Sequence, residues 1–140
     1  MRVFLDTNVL ASAVATRGIC ADVLHTALAE HEVVVSEQVL SELSRALQEK
    51  IRTSTELAKE TDEFLRREAE VVGEAPKLEI AVRDEDDVRI VEQAVASRAD
   101  VLVTGDRDLL EMGEDRPIPI LTPRGFWNLL RSDSAEPDSE

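Results

Sequence analysis

Val101-Leu102-Val103-Thr104-Gly105-Asp106-Arg107-Asp108-Leu109-Leu110 opens as a three-residue apolar run and reaches Asp106 through the two-residue turn Thr104-Gly105. A run that short, without polar alternation, reads as a strand covered on both faces. The first residues repeat the pattern, since Val3-Phe4-Leu5 ends directly at Asp6. Between these two strands lie helical patterns over 7–14 and 19–28, separated at Gly18. Val33-Val34-Val35 is a β-branched strand stopped by Ser36, a residue suited to an N-cap, and Val39, Leu40, Leu43, Ala46 and Leu47 then recur at helical spacing. A charged helix is expected over 54–72, with Leu57, Phe64, Leu65 and Val72 on one side and Gly73 and Pro76 closing it.

The stretch Leu78-Glu79-Ile80-Ala81-Val82 leads into the acid run Asp84-Glu85-Asp86-Asp87, where a helix begins that ends near Arg98. Ile118-Pro119-Ile120-Leu121 reads as a last strand at an edge, because Pro119 cannot donate to a ladder. Pro123 opens a short helix through Phe126, Trp127, Leu129 and Leu130. A single domain over 1–131 is expected, followed by an acidic, disordered tail over 132–140 that offers no core-forming residue. Short apolar strands alternating with helices imply βαβ units, hence an α/β fold with a parallel sheet covered on both faces. Ligands in such folds bind beyond the carboxyl ends of the strands.

The composition narrows the chemistry. With 30 acids against 16 bases the formal net charge is −14, which excludes a protein that coats polyanions through Lys and Arg. Cys20 is the single cysteine, so neither a disulfide framework nor a cysteine zinc site is available, and His25 and His31 lack ligand spacing. No apolar run approaches ~18 residues and the first residues lack a secretion-signal core, so a cytoplasmic protein with no membrane contact is expected. Catalysis, if present, falls to carboxylates.

Asp6 and Asp106 each follow a strand and project from the same carboxyl edge. At ~100° per residue, Val88, Ile90, Val91, Ala94 and Val95 span one apolar arc that contains Asp87 and leaves Asp86 at its margin. A carboxylate on a buried face is costly unless something pairs with it. Asp84 as N-cap and Asp87 on free backbone N–H groups would account for one acid, but not for four. Glu42 borders the Val39–Ala46 face, Glu37 lies opposite, and Glu49 sits two turns beyond Glu42, away from the strand ends. Four carboxylates from four segments thus converge, and like charges so close raise one another's pKa. A hard divalent cation with oxygen ligands, Mg²⁺ or Mn²⁺, relieves that repulsion and can serve phosphodiester hydrolysis without His or Cys.

The residues that carry these acids resemble the motifs of the PIN-domain ribonuclease family. Phe4-Leu5-Asp6-Thr7-Asn8-Val9 resembles its opening motif, 36–47 its Glu-bearing second, Arg83-Asp84-Glu85-Asp86-Asp87 its third, and Val103 through Leu110 its fourth. The closing Ile120-Leu121-Thr122-Pro123-Arg124-Gly125-Phe126 is similar to a subgroup of prokaryotic toxin components of toxin–antitoxin pairs, from which Glu85 departs where Pro is frequent. The resemblance implies a three-layer α/β/α sandwich around a five-stranded parallel sheet of order 3-2-1-4-5. It further implies metal-dependent hydrolysis of RNA that leaves a 5′-phosphate. By motif position Asp6, Glu42, Asp87 and Asp106 form the catalytic quartet, with Asp6, Asp87 and Asp106 as ligands of Mg²⁺ or Mn²⁺. Asn8 and Thr104 would orient metal waters or a carboxylate, and Asp108 is an additional ligand candidate. Expected partners are the RNA substrate and a protein antitoxin, with a homodimer admitted.

Two other classes stay open at this point. A Mg²⁺-dependent phosphatase or receiver-like module also uses a strand-end Asp, but Asp6-Thr7-Asn8 lacks the phosphatase motif's second Asp and no Lys follows a later strand. A catalytically idle module could instead use the acidic pocket to capture an Arg from a partner.

Overall fold

The computed structural model describes residues 1–49, 54–76, 85–112 and 116–135. In chain order its elements are β1 (Arg2–Leu5), α1 (Thr7–Ala15), α2 (Ile19–Glu30), β2 (Glu32–Ser36), α3 (Glu37–Glu49), α4 (Thr55–Glu68) and β3 (Glu70–Val72). They continue as α5 (Glu85–Ala96), β4 (Val101–Val103), α6 (Arg107–Leu110), β5 (Ile120–Leu121) and α7 (Pro123–Ala135). The five strands are all parallel, in the order β3-β2-β1-β4-β5, and the helices complete an α/β/α sandwich.

Each central strand carries an unbroken apolar run. Val3, Phe4 and Leu5 are fully buried, as are Val34, Val35, Leu102 and Val103. Phe4 lies in register with Val34 on one side and Leu102 on the other, so β1 is covered by strands at both edges and by helices on both faces. Pro119 fits its edge position: its carbonyl accepts from Leu102 N–H at 3.0 Å, a bond that asks for no donor from proline. Ser36 acts as expected, its Oγ accepting from Val39 N–H at 3.0 Å to start α3.

Two boundaries differ from the sequence expectation. The charged helix expected over 54–72 ends at Glu68, and Glu70–Val72 forms β3 against β2, pairing Val34 with Glu70 and Ser36 with Val72. Ala69 turns to extended backbone as the helix C-cap, and the β-branched pair Val71-Val72 takes up sheet pairing that local periodicity does not reveal. Helix α7 continues to Ala135, past the boundary expected at 131, while 136–140 lie outside the described residues. The stretch 78–82 and Asp84 lie outside them too, as does the side chain of Asp86.

Helix α5 leaves through a left-handed residue. Arg98 has φ 62°, Ala99 N–H reaches Ala94 O at 3.2 Å and Arg98 N–H reaches Val95 O at 3.0 Å, which together close the helix end just before β4.

Candidate active site

The parallel register decides where the acids meet. Leu5 pairs with Val103, so β1 and β4 end side by side, and Asp6 N–H still bonds Val103 O at 3.0 Å. Asp6 therefore emerges next to Thr104, and each is the first residue beyond its strand. Asp6 is only 6% exposed, yet both of its carboxylate oxygens are occupied. Oδ1 accepts from Thr7 N–H and Oδ2 from the Thr104 hydroxyl, both at 2.7 Å.

Thr104 acts as the hinge pin of the site. Its buried hydroxyl donates to Asp6 and simultaneously accepts from Asp106 N–H at 2.9 Å. Asp106 in turn caps α6, its Oδ1 accepting from Asp108 N–H at 2.9 Å. Asn8 Oδ1 accepts from Gly105 N–H at 3.1 Å, tying the turn after β4 to the start of α1. Asn8 was expected to orient waters or a carboxylate, and its oxygen also holds this backbone turn in place.

Glu42 lies on the second turn of α3, half-buried, and reaches the same edge. Thr7 Oγ1 donates to its Oε1 at 2.8 Å and Gln38 Nε2 to its Oε2 at 3.0 Å. Glu37, read from the sequence as lying opposite, does so: its carboxylate faces Arg66 of α4 at 2.8 and 2.9 Å, and this guanidinium holds it below the usual carboxylate range. Glu49 is exposed at the far end of α3.

Among the described residues, one group of carboxylates offers oxygens that all lie within 4.8 Å of one another: Asp87, Asp106 and Asp108, each half-buried. The sequence expectation had Asp6 in that trio with Asp108 as an addition. Asp106 caps α6 and Asp108 lies in its first turn, whereas both oxygens of Asp6 accept from Thr7 and Thr104. Asp6 remains electrically part of the cluster. Burial pushes its carboxyl above the ordinary carboxylate value, the Thr104 and Thr7 hydrogen bonds pull it back, and the charges of Glu42 and Asp106 push it up further. An all-oxygen donor set of this kind fits Mg²⁺ or Mn²⁺ and does not suit a soft metal.

The sequence profile of the PIN domain matches residues 2–108. The chain belongs to the PIN domain family. Solved structures share its fold at low identity. VapBC2 from Rickettsia felis, bound to a DNA fragment from their promoter, aligns with TM-score 0.64 and 17% identity, over 87% of this chain and 98% of that one. VapBC-1 from nontypeable Haemophilus influenzae gives 0.62 and 19%, over 89% and 99%. PAE2754 from Pyrobaculum aerophilum gives 0.66 and 18%, over 94% and 90%. No curated protein matches the sequence. In this PIN domain the profile takes in β1 through the first turn of α6, so Asp6, Glu42, Asp87, Asp106 and Asp108 all fall inside it.

Two contributors escaped the sequence reading. Gln38 and Gln93 reach the site as a hydrogen-bonded pair, Gln93 Nε2 donating to Gln38 Oε1 at 2.9 Å. Helical spacing placed Gln38 one turn before Glu42, a signal that was available; nothing local marked Gln93.

Proposed function

We propose that this chain is a divalent-metal-dependent endoribonuclease and the toxin half of a toxin–antitoxin pair. The observation that carries the proposal is the group Asp87, Asp106 and Asp108 at the carboxyl edge, within 4.8 Å of one another and beside buried Asp6. PIN domains are typically nucleases that use divalent metals, and the closing motif around Pro123-Arg124-Gly125-Phe126 together with the likeness to VapBC chains favours the toxin subgroup.

In this reading Asp87, Asp106 and Asp108 hold Mg²⁺ or Mn²⁺, with Asp6 completing the charge around it. When bound, the ion supplies a nucleophilic hydroxide at neutral pH and offsets the negative charge that grows on the phosphate. The reaction adds water across a phosphodiester, giving a 5′-phosphate and a free 3′-hydroxyl. The chain's own residues keep the carboxylates in place. Thr104 and Thr7 fix both oxygens of Asp6 without neutralising it, and Asn8 prevents the turns after β1 and β4 from separating. Each Glu42 oxygen uses one lone pair on a protein donor and keeps another for a water or a substrate hydroxyl. Such fixed neutral donors preorganise the acids while leaving their charge for the reaction.

A receiver-like module is disfavoured by topology, since that class orders its strands 2-1-3-4-5 and this sheet reads 3-2-1-4-5. A protein partner is supported by an apolar groove of about 190 Å³ between α1, α2 and α4, lined by Leu10, Val14, Leu24, Phe64 and Leu65. Among the described residues no helix is long and apolar enough to cross a membrane.

The test is cleavage of a labelled single-stranded RNA with Mn²⁺, with Mn²⁺ plus chelator, and with the Asp106→Asn variant. Cleavage with Mn²⁺ alone, leaving 5′-phosphate ends, is expected. Equal cleavage by the variant, or none by the wild type, contradicts the proposal. The toxin assignment is checked separately: induction in cells should arrest growth, and a small protein encoded alongside should restore it.

A further inference from the structure

Glu42 is the terminus of a chain of side-chain amides that has only one workable direction. A carboxylate accepts and cannot donate, so Gln38 must turn its Nε2 toward Glu42 Oε2, at 3.0 Å. The Gln38 carbonyl then faces away and accepts from Gln93 Nε2 at 2.9 Å. Gln93 is in consequence obliged to present its nitrogen, and its own Oε1 is left buried with no hydrogen-bond partner among the described residues. The residue as a whole is only 5% exposed. Turning the Gln93 amide over would set two carbonyl oxygens face to face, so the orphaned oxygen is the consequence of what Gln38 requires. Buried polar atoms are rarely left this way, and one that is calls for a reason.

The route of the chain supplies the reason. Gln93 lies on α5, the helix that carries Asp87; Gln38 and Glu42 lie on α3; and Thr7, which holds the other oxygen of Glu42, opens α1 next to Asp6. Three of the elements that bring acids to the carboxyl edge are thereby linked through the two oxygens of Glu42. We propose that Gln38 and Gln93 are positioning residues that set the orientation of Glu42 relative to Asp87 and Asp6 for RNA cleavage. The proposal rests on the nuclease reading above, and neither glutamine need touch substrate or metal.

The direction of the chain makes a discriminating pair of variants. Gln93→Met removes the donor and the orphaned oxygen together, leaving Gln38 free to keep its bond to Glu42. Gln93→Glu places a second acceptor there, which draws the Gln38 nitrogen away and turns the Gln38 carbonyl toward Glu42. Gln93→Glu should lower kcat about 10-fold or more with KM for RNA and Mn²⁺ affinity within about 2-fold of wild type, and Gln93→Met should lower kcat only about 3-fold without lowering Tm. Where Gln93→Glu fails to fold, Gln38→Met replaces it, with the same loss in kcat at unchanged KM expected. A readout independent of activity is the Gln93 side-chain amide signal by NMR: Glu42→Gln should shift it, although no hydrogen bond joins the two side chains directly among the described residues. Wild-type kcat in Gln93→Glu or in Gln38→Met overturns the proposal, as does a loss that only parallels Tm across both Gln93 variants, or an unmoved Gln93 amide. If the wild type neither binds Mn²⁺ nor cuts RNA, the nuclease reading fails, and the NMR result alone decides whether the chain of amides is directional.

Discussion

The two ends of one sheet handle their acids in opposite ways. At the amino edge, Arg2 Nη1 takes Glu32 at 3.0 Å and Glu70 at 2.9 Å, its Nε and Nη2 bond the Ser97 carbonyl at the end of α5, and its backbone N–H takes Asp100 at 2.7 Å. One guanidinium ties β1, β2, β3 and the exit of α5 together, and charge is matched by charge. At the carboxyl edge Asp6 meets a hydroxyl, a backbone amide and the like charges of Glu42 and Asp106. Its donors orient it and do not neutralise it. The amino edge is built for stability, and the carboxyl edge sets stability aside for charge density, as functional sites commonly do.

Substitutions at the two ends should therefore move activity and stability independently. The largest effect is expected from Asp6→Asn, which should reduce RNA cleavage by about 100-fold or more, a loss typical of removing an electrostatic element of a site. The same variant should melt higher than wild type at neutral pH. The raised Asp6 carboxyl means that the folded chain binds a proton there more readily than the unfolded chain, so ionised Asp6 opposes folding. That opposition fades as pH falls toward the ordinary carboxylate range, and the advantage of Asp6→Asn in melting temperature should shrink with it. The amide also fits: the Thr104 hydroxyl can turn to accept from it.

At the opposite edge, Arg2→Met should cost about 1–2 kcal/mol in denaturant unfolding, chiefly through the Ser97 carbonyl left without its donors, and should spare the kcat of the folded protein. Its exposed pairs with Glu32 and Glu70 contribute the smaller share. A kcat loss in Arg2→Met comparable with that of Asp6→Asn would abolish the distinction between the edges.

Much of this contrast was legible in the sequence, and what was not has identifiable causes. Val3-Phe4-Leu5-Asp6 and Val101-Leu102-Val103 located the two central strands and the acids beyond them, because a fully buried parallel strand leaves an unbroken apolar run. The helical wheel put Asp87 with the apolar arc of α5, and it lies half-buried in the acidic group. Strand β3 was hidden because Val72 continues the helical spacing of Leu57, Phe64 and Leu65, and no Gly or Pro separates Glu68 from Glu70. Only pairing with β2, a long-range event, turns that segment into sheet. The buried polar residues Glu92 and Gln93 of α5, and Ser97 just past its end, were hidden for another reason, since hydrophobic periodicity counts apolar residues alone. The place of Asp108 beside Asp87 depends on where α6 begins, a matter of one turn of backbone.

A milder effect separates field from contact. With net charge −14, attraction of RNA at long range should be absent, and binding should fall to contacts such as Arg107, which is exposed between Asp106 and Asp108 and makes no ion pair among the described residues. Cleavage at fixed Mn²⁺ should hold or rise from low to moderate salt, as screening with a Debye length of ~8 Å weakens repulsion. Removing 136–140, with its three acids Glu136, Asp138 and Glu140, should help chiefly at low salt. A steep fall over that range would mean a basic RNA surface with many released counterions. The smallest effect belongs near the amino edge: Arg98→Gly relieves the left-handed backbone at the end of α5 and should add about 0.5–1 kcal/mol of stability with no change in cleavage.

The central claim is that the carboxyl edge crowds its acids in order to hold a divalent cation. Thermal melts at neutral pH with and without millimolar Mn²⁺ test it most directly, run on wild type, Asp87→Asn and Arg2→Met. Wild type and Arg2→Met should gain the same several degrees from the ion, since a ligand that binds only the folded state stabilises it by mass action, and Asp87→Asn should gain little. A wild-type melt that Mn²⁺ leaves unchanged, or an equal gain in Asp87→Asn, would contradict the account.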